Sequence, residues 1–363
     1  MDNAVDTVRK RAASGDAEAK FALAGLLDGE GRHDAAAEEL RQASKTGHLG
    51  ATASLGERLL TGREAPFEPA EGAKLIAAAA ERGHADAMAV LATLAGAGAW
   101  TGQSWPRALE LLQKSAELGS RDARTQLALL AGDQARDGSV VVDETDPAAW
   151  RRLRESVMLE TWVKPPEPRQ VSEAPRIWTA EKFTTPEICA WLIGRGRGKF
   201  KPSMMFDGQR STFLATRTCS DFAFTIVEGG VLLVLLRIRA GLLTGLATVQ
   251  MEPPQIFHYS VGQEIKPHYD SVYDGEHSYG QTGGYQGDRL ATFLLYLNDE
   301  YEGGELEFPK VGFRYRGKTG DGIFFTSQRG GKRDILSLHG ALPVTGGEKF
   351  ILSQWIHDRP FQA

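Results

Sequence analysis

His268 and Asp270 stand two residues apart in QEIKPHYD, and His339 lies far downstream in SLHGALPV. On a strand, alternate residues share a face. His268 and Asp270 can therefore turn an imidazole and a carboxylate toward one centre. His339, from a strand near the end of the same region, can add a second imidazole. Two imidazoles and one carboxylate on one side of a metal leave the other positions open, a donor set that suits iron(II). Lys349 follows His339 by ten residues in GGEKF, and Tyr259 precedes His268 by nine in FHYSVGQEIKPHYD. A lysine on the next inward-facing strand can hold the distal carboxylate of a dicarboxylate as a point charge, and the tyrosine hydroxyl can donate to it.

The elements that would position these groups are short strands. From Gln255 onward the segments QIFHYSV, EIKPHYD, LATFLLYL, GELEFP, DGIFFT, ILSLHGALPV and EKFILSQWI follow one another, separated by glycine-rich turns. Strands at such spacing without long helices between them predict an antiparallel sandwich or barrel. Upstream, Ile177–Phe183 reads as a strand. TTPEICAWLIGRG reads as a short helix with Pro186 in its first turn, and Glu228–Leu246 as another helix.

Taken together, HYSVGQEIKPHYD, GDRLATFLLYLNDEYEGGELEFP, GDGIFFT and SLHGALPVTGGEKFILSQWIH resemble the prolyl 4-hydroxylase branch of the iron(II)/2-oxoglutarate dioxygenases. The resemblance covers roughly residues 177–363 and implies a double-stranded β-helix, a jelly roll with flanking helices. It implies that His268, Asp270 and His339 ligate iron, and that Lys349 binds the distal carboxylate of 2-oxoglutarate with help from Tyr259. It places Arg289 and Trp355 on the peptide-substrate side and Arg217 at the border of the site. Iron(II), 2-oxoglutarate and dioxygen are the implied cofactors, with ascorbate in support. The implied reaction is hydroxylation, and Asp270 argues against halogenation because halogenating relatives lack that carboxylate.

Two positions depart from the family pattern. Leu306 stands where the family's GGET has threonine, so a hydrogen-bond donor to 2-oxoglutarate is missing, and Thr292 or Ser353 is the expected substitute. Phe350 stands where tryptophan is commoner, one aromatic for another. The glycine- and tyrosine-rich stretch Ser271–Asp288 directly follows the His-x-Asp pair and reads as a lid that orders on substrate. His258 and His357 read as supports, His277 as a loop residue and Cys219 as a buried thiol.

The first third of the chain has another organisation. Four segments begin at Gly15, Gly47, Gly83 and Gly119, spaced 32, 36 and 36 residues apart. An alanine follows four places after each glycine (Ala19, Ala51, Ala87, Ala123) and a leucine eight places after (Leu23, Leu55, Leu91, Leu127). Apolar residues at three- and four-residue steps mean amphipathic helices, and two helices per such period mean an α-solenoid. The layout resembles Sel1-like repeats, relatives of the tetratricopeptide repeat. That resemblance implies a concave surface for a protein or peptide partner. The expected domains are residues 1–135 as solenoid, 136–176 as a capping helix and proline-rich linker, and 177–363 as oxygenase.

Composition bounds the alternatives. Lys and Arg number 42 against 47 Asp and Glu, so the net charge of −5 argues against a nucleic-acid binder working through bulk charge. The longest apolar run, Gly229–Leu236, is too short to span a bilayer, and the first residues lack the apolar core of a signal peptide. The two cysteines cannot form a disulfide framework, which makes a reducing cytoplasm the expected compartment. The expected partner is a peptide or protein substrate recruited by the solenoid. Two other readings are a hydroxylase of a free amino acid or small metabolite, and an adaptor whose oxygenase is impaired by Leu306.

Overall fold

The structure is a computed structural model that describes residues 2–132, 146–203, 205–206, 211–212, 216–271 and 287–361. The chain forms two compact units. One comprises Met1–Leu159 with Thr225–Val234, the other Glu160–Phe224 with Leu235–Ala363.

The first unit is built from helices α1 (Asp2–Ala13), α2 (Ala17–Gly29), α3 (His33–Lys45), α4 (Leu49–Thr61), α5 (Pro69–Glu81), α6 (Ala85–Ala97), α7 (Trp105–Glu117), α8 (Arg121–Ala131) and α9 (Pro147–Ser156). The repeated glycines have one local cause. Gly15, Gly47, Gly83 and Gly119 all lie at φ between 90° and 97°, the left-handed turn that ends a helix. The residue after each glycine then caps the next helix. Asp16, His48, His84 and Ser120 accept from the backbone N–H of Ala19, Ala51, Ala87 and Ala123 at 3.1, 3.0, 3.2 and 3.5 Å. The four alanines are therefore the third residues of their helices, and all four are buried. Their small side chains let neighbouring helices approach, and larger groups such as Leu27, Leu40, Leu55 and Leu59 fill the space between them.

In the second unit, α10 (Leu159–Val163) leads to strands β1 (Arg169–Glu173) and β2 (Arg176–Ala180), then to α11 (Pro186–Gly196), which Thr185 caps with Pro186 in its first turn. Short strands β3 (Lys201–Pro202), β4 (Met205–Phe206), β5 (Ser211–Thr212) and β6 (Ser220–Ala223) precede α12 (Ile226–Thr244). The remainder is β7 (Gln255–Tyr259), β8 (Ile265–His268), β9 (Arg289–Tyr296), β10 (Tyr301–Gly303), β11 (Leu306–Phe308), β12 (Phe313–Tyr315), β13 (Gly322–Thr326), β14 (Gln328–Arg329), β15 (Lys332–Arg333), β16 (His339–Ala341), β17 (Val344–Gly347) and β18 (Lys349–His357).

An eight-stranded antiparallel sheet runs β1-β2-β13-β9-β18-β7-β6-β3, and a four-stranded sheet runs β12-β11-β16-β8. This is the jelly roll with flanking helices that the sequence predicts. The central strand β18 is buried along all nine residues, because β7 and β9 pair with its edges and both its faces are covered. Ile177, Leu294, Tyr296, Phe308, Ile323, Phe325 and Ile351 form one core cluster.

Two segments differ from the sequence reading. The proline-rich stretch is more than a linker. Its residues 169–173 hydrogen-bond to β2 as an edge strand, a position where prolines just outside the strand cost no ladder bond. The capping helix expected within 136–176 is two helices, α9 and α10, because Val157 leaves the helical conformation. Of the proposed lid, Ser271–Asp288, residues 272–286 lie outside the described residues, His277 among them.

Candidate metal centre and its cavity

The two candidate histidines meet across the smaller sheet. His268, the last residue of β8, is the register partner of His339, the first residue of β16. Asp270 lies just past the end of β8. The ligand atoms of His268, Asp270 and His339 all fall within 4.8 Å of one another. His268 Nε2 is 3.5 Å from Asp270 Oδ1, and His339 Nε2 is 3.6 Å from Asp270 Oδ2.

The outer nitrogens of both rings face backbone carbonyls. His268 Nδ1 lies 3.0 Å from the carbonyl of Lys266, and His339 Nδ1 lies 2.9 Å from that of Ser337. A carbonyl only accepts, so each Nδ1 carries the proton and each Nε2 turns a lone pair to the centre. Burial pushes His339 down to about 4 against the pull of Asp270, so its ring is neutral at pH 7. Burial alone would raise Asp270, but His339, His268 and Arg289 outweigh it and hold the carboxyl well below the usual range. A neutral imidazole beside an ionised carboxylate is the protonation state that metal binding requires. These residues thus fit iron(II).

Thr292, on β9, donates its hydroxyl to Asp270 Oδ2 at 2.5 Å. Its oxygen is engaged with the metal-facing carboxylate. Thr292 thus holds the candidate ligand while also lining the cavity in which a contact to the cosubstrate is expected.

The larger sheet supplies the other wall. Lys349 opens β18 and is the register partner of Tyr259 on β7. Lys349 is 1% exposed, and its ammonium donates to the carbonyl of Gly304 at 2.6 Å and lies 4.9 Å from the Tyr259 ring centre. Burial pushes Lys349 down to about 7, with Cys219 and Glu305 pulling the other way. Among the described residues no carboxylate forms an ion pair with it. One cavity is lined by the three candidate ligands together with Lys349, Tyr259, Thr292, Leu306, Ser353, Trp355 and Arg217. Leu306 is 4% exposed and leaves that part of the wall apolar. Arg217 sits over the Phe257 ring at 5.3 Å, and its Nε has no hydrogen-bond partner among the described residues.

Arg289 and Trp355 are brought together by the fold. The guanidinium lies 3.8 Å from the Trp355 ring centre, and Trp355 lies opposite Thr292 in the β18–β9 register. Arg289 also donates to both oxygens of Glu252 at 2.6 and 3.0 Å, and His357 Nε2 lies 2.7 Å from Glu252 Oε1. Burial would raise Glu252, yet Arg289 and His357 bring it down to about 2. Sequence reasoning missed Glu252. Its partners lie 37 and 105 residues downstream, so no local spacing reveals it.

Residues 254–357 match the 2OG-Fe(II) oxygenase superfamily. Probable prolyl 4-hydroxylase 6 of Arabidopsis thaliana is 32% identical over 221 residues, which covers 55% of this chain and 75% of that one. The viral collagen prolyl hydroxylase of Paramecium Bursaria Chlorella virus-1, solved as a 2OG complex, is 25% identical with a TM-score of 0.41, covering 51% of this chain and 98% of that one. A Sel1 repeat protein from Oxalobacter formigenes aligns at 20% identity and a TM-score of 0.34, over 43% of this chain and 64% of that one.

The class is that of the iron(II)- and 2-oxoglutarate-dependent dioxygenases. Within it, the chain belongs to the prolyl 4-hydroxylase family and carries helical repeats before its oxygenase domain. Its cofactors are iron(II), 2-oxoglutarate and dioxygen. No helix among the described residues is long and apolar enough to cross a membrane.

Proposed function

We propose that the protein hydroxylates a prolyl residue in a peptide or protein, with His268, Asp270 and His339 holding the iron. The observation that carries this reading is the convergence of those three ligand atoms beside a buried lysine in one cavity. Bound iron and 2-oxoglutarate supply the oxidising chemistry, in which one oxygen atom reaches the substrate and the other leaves in succinate with carbon dioxide. The chain's own task is placement. Lys349 holds the distal carboxylate of 2-oxoglutarate, with Tyr259 opposite it. Thr292 fixes Asp270, and the apolar wall around Leu306 keeps water from the cosubstrate. Arg289 and Trp355 form the side that receives the peptide, braced by Glu252.

The repeats recruit a protein partner or substrate in this reading, with residues 1–135 as the repeat domain, 136–176 as the junction and 177–363 as the oxygenase. The compartment is the reducing cytoplasm, in keeping with two buried free cysteines. The test is mass spectrometry of proline-containing peptides incubated with iron(II), 2-oxoglutarate and the enzyme. A +16 Da product on proline with stoichiometric succinate is expected, and none with His268→Ala. Succinate release equal in wild type and H268A across such peptides would overturn it.

A further inference from the structure

The first unit contains a segment far from the repeats in sequence. Thr225–Val234 folds among the helices of the repeat array. Two side chains of the array hold it. Arg63, in the loop after α4, pairs through Nη1 with Glu228 Oε1 at 2.8 Å. Gln126, on α8 and 1% exposed, accepts at Oε1 from the backbone N–H of Val231 at 2.8 Å and of Leu232 at 3.4 Å. Its amide nitrogen donates to Asp122 Oδ2 at 2.8 Å.

These contacts have the form of a built socket. Val231 and Leu232 open the regular part of α12, and their N–H groups have no acceptor within the helix. Gln126 supplies that acceptor from another helix. Gly230 stands between, at φ 59° and ψ −175°, where the helix is broken. A Cβ at Gly230 would lie 2.4 Å from Gln126 Oε1. Positive φ and close approach both require glycine there. On the near side, Glu228 Oε2 accepts from the backbone N–H and hydroxyl of Thr225 at 3.1 and 3.0 Å, so one carboxylate oxygen closes its own turn while the other meets Arg63. Val231, Leu232 and Leu233 are buried. Apolar packing alone would not specify these directional bonds, and a buried amide is costly to leave unpaired.

We propose that the Arg63–Gln126 face of the repeat array is a receptor for the chain's own Thr225–Val234 segment, and that Gln126 sets where α12 begins. The repeats thus have an internal client. That face is closed to outside partners, which must use another surface of the array.

Hydrogen exchange read by mass spectrometry on the full chain tests this. In Gln126→Ala, amides 230–234 are expected to exchange about tenfold faster or more, while β18 and α2 keep their protection. Arg63→Glu, at an exposed position that tolerates charge, is expected to raise exchange over 226–230. Arg63→Glu combined with Glu228→Arg is expected to restore it. Unchanged exchange over 225–234 in Q126A overturns the proposal. So does a double variant no better protected than R63E.

Discussion

Thr292 Oγ1 donates to Asp270 Oδ2 from β9, so the larger sheet reaches across to hold a residue at the end of the smaller one. The carboxylate is buried and faces two imidazoles. Without that hydroxyl it has one directional restraint fewer. Partners of metal ligands typically contribute 10–100-fold in affinity or activity. Thr292→Val is therefore expected to weaken iron(II) binding by about 10–100-fold, measured by metal titration, while Thr292→Ser retains most of it. Equal affinity in T292V and wild type would show that Asp270 needs no such hold.

Lys349 makes the unliganded protein sensitive to pH. Folded, it releases its proton at about 7, against an ordinary value of 10.5. Between those values the unfolded chain holds the extra proton, so this group favours folding increasingly as pH rises from about 7 to 10.5. A dicarboxylate beside Lys349 favours the charged form, so binding 2-oxoglutarate above pH 7 is expected to take up a proton. Calorimetry in two buffers of different ionisation heat measures that uptake directly. Lys349→Met is expected to abolish it and to weaken 2-oxoglutarate binding about tenfold or more. Proton uptake persisting in K349M would assign it to another group.

Glu252 is the brace behind Arg289 and His357. Removing one partner of a buried ion pair leaves the other charge uncompensated, at a cost of about 3–5 kcal/mol. Glu252→Gln is expected to lower stability by about that amount in urea denaturation. The folded carboxyl sits at about 2 against 4.5 normally, so its stabilising contribution is present above 4.5 and fades as pH falls toward 2. Acid titrations of wild type and E252Q should converge at the low end. Parallel curves would show that Glu252 is not the titrating group.

What could be read in advance depended on how far apart cooperating residues lie. Strands from Gln255 onward were legible because apolar runs are bounded by glycine turns, and the repeats were legible because Gly15, Gly47, Gly83 and Gly119 recur. The capping role of Asp16, His48, His84 and Ser120 escaped notice because three residue types do one job. The edge strand at 169–173 was hidden by the prolines that flank it. Glu252 and Gln126 were invisible, since each works through partners more than thirty residues away. Thr292 stood out by type, but its partner Asp270 emerged only from the packing of two sheets.

Leu306 offers the sharpest test of the cosubstrate pocket. It lies on β11, buried, with its side chain on the same cavity as Lys349. A leucine there gives 2-oxoglutarate packing but no donor. Thr292 is engaged with Asp270, while Lys349, Tyr259 and Ser353 are further polar groups lining the cavity. A hydrogen bond to a charged group contributes about 1.5–3 kcal/mol. Leu306→Thr is therefore expected to lower the KM for 2-oxoglutarate about tenfold or more. The same change removes apolar volume from the cluster with Phe308 and Ile351, so a modest loss of Tm is expected alongside. Leu306→Val separates the two effects, because it loses volume without gaining a hydroxyl. Lower Tm with unchanged KM in L306V, against lower KM in L306T, is the expected pattern. If both variants raise KM, the leucine itself is part of the fit to the cosubstrate.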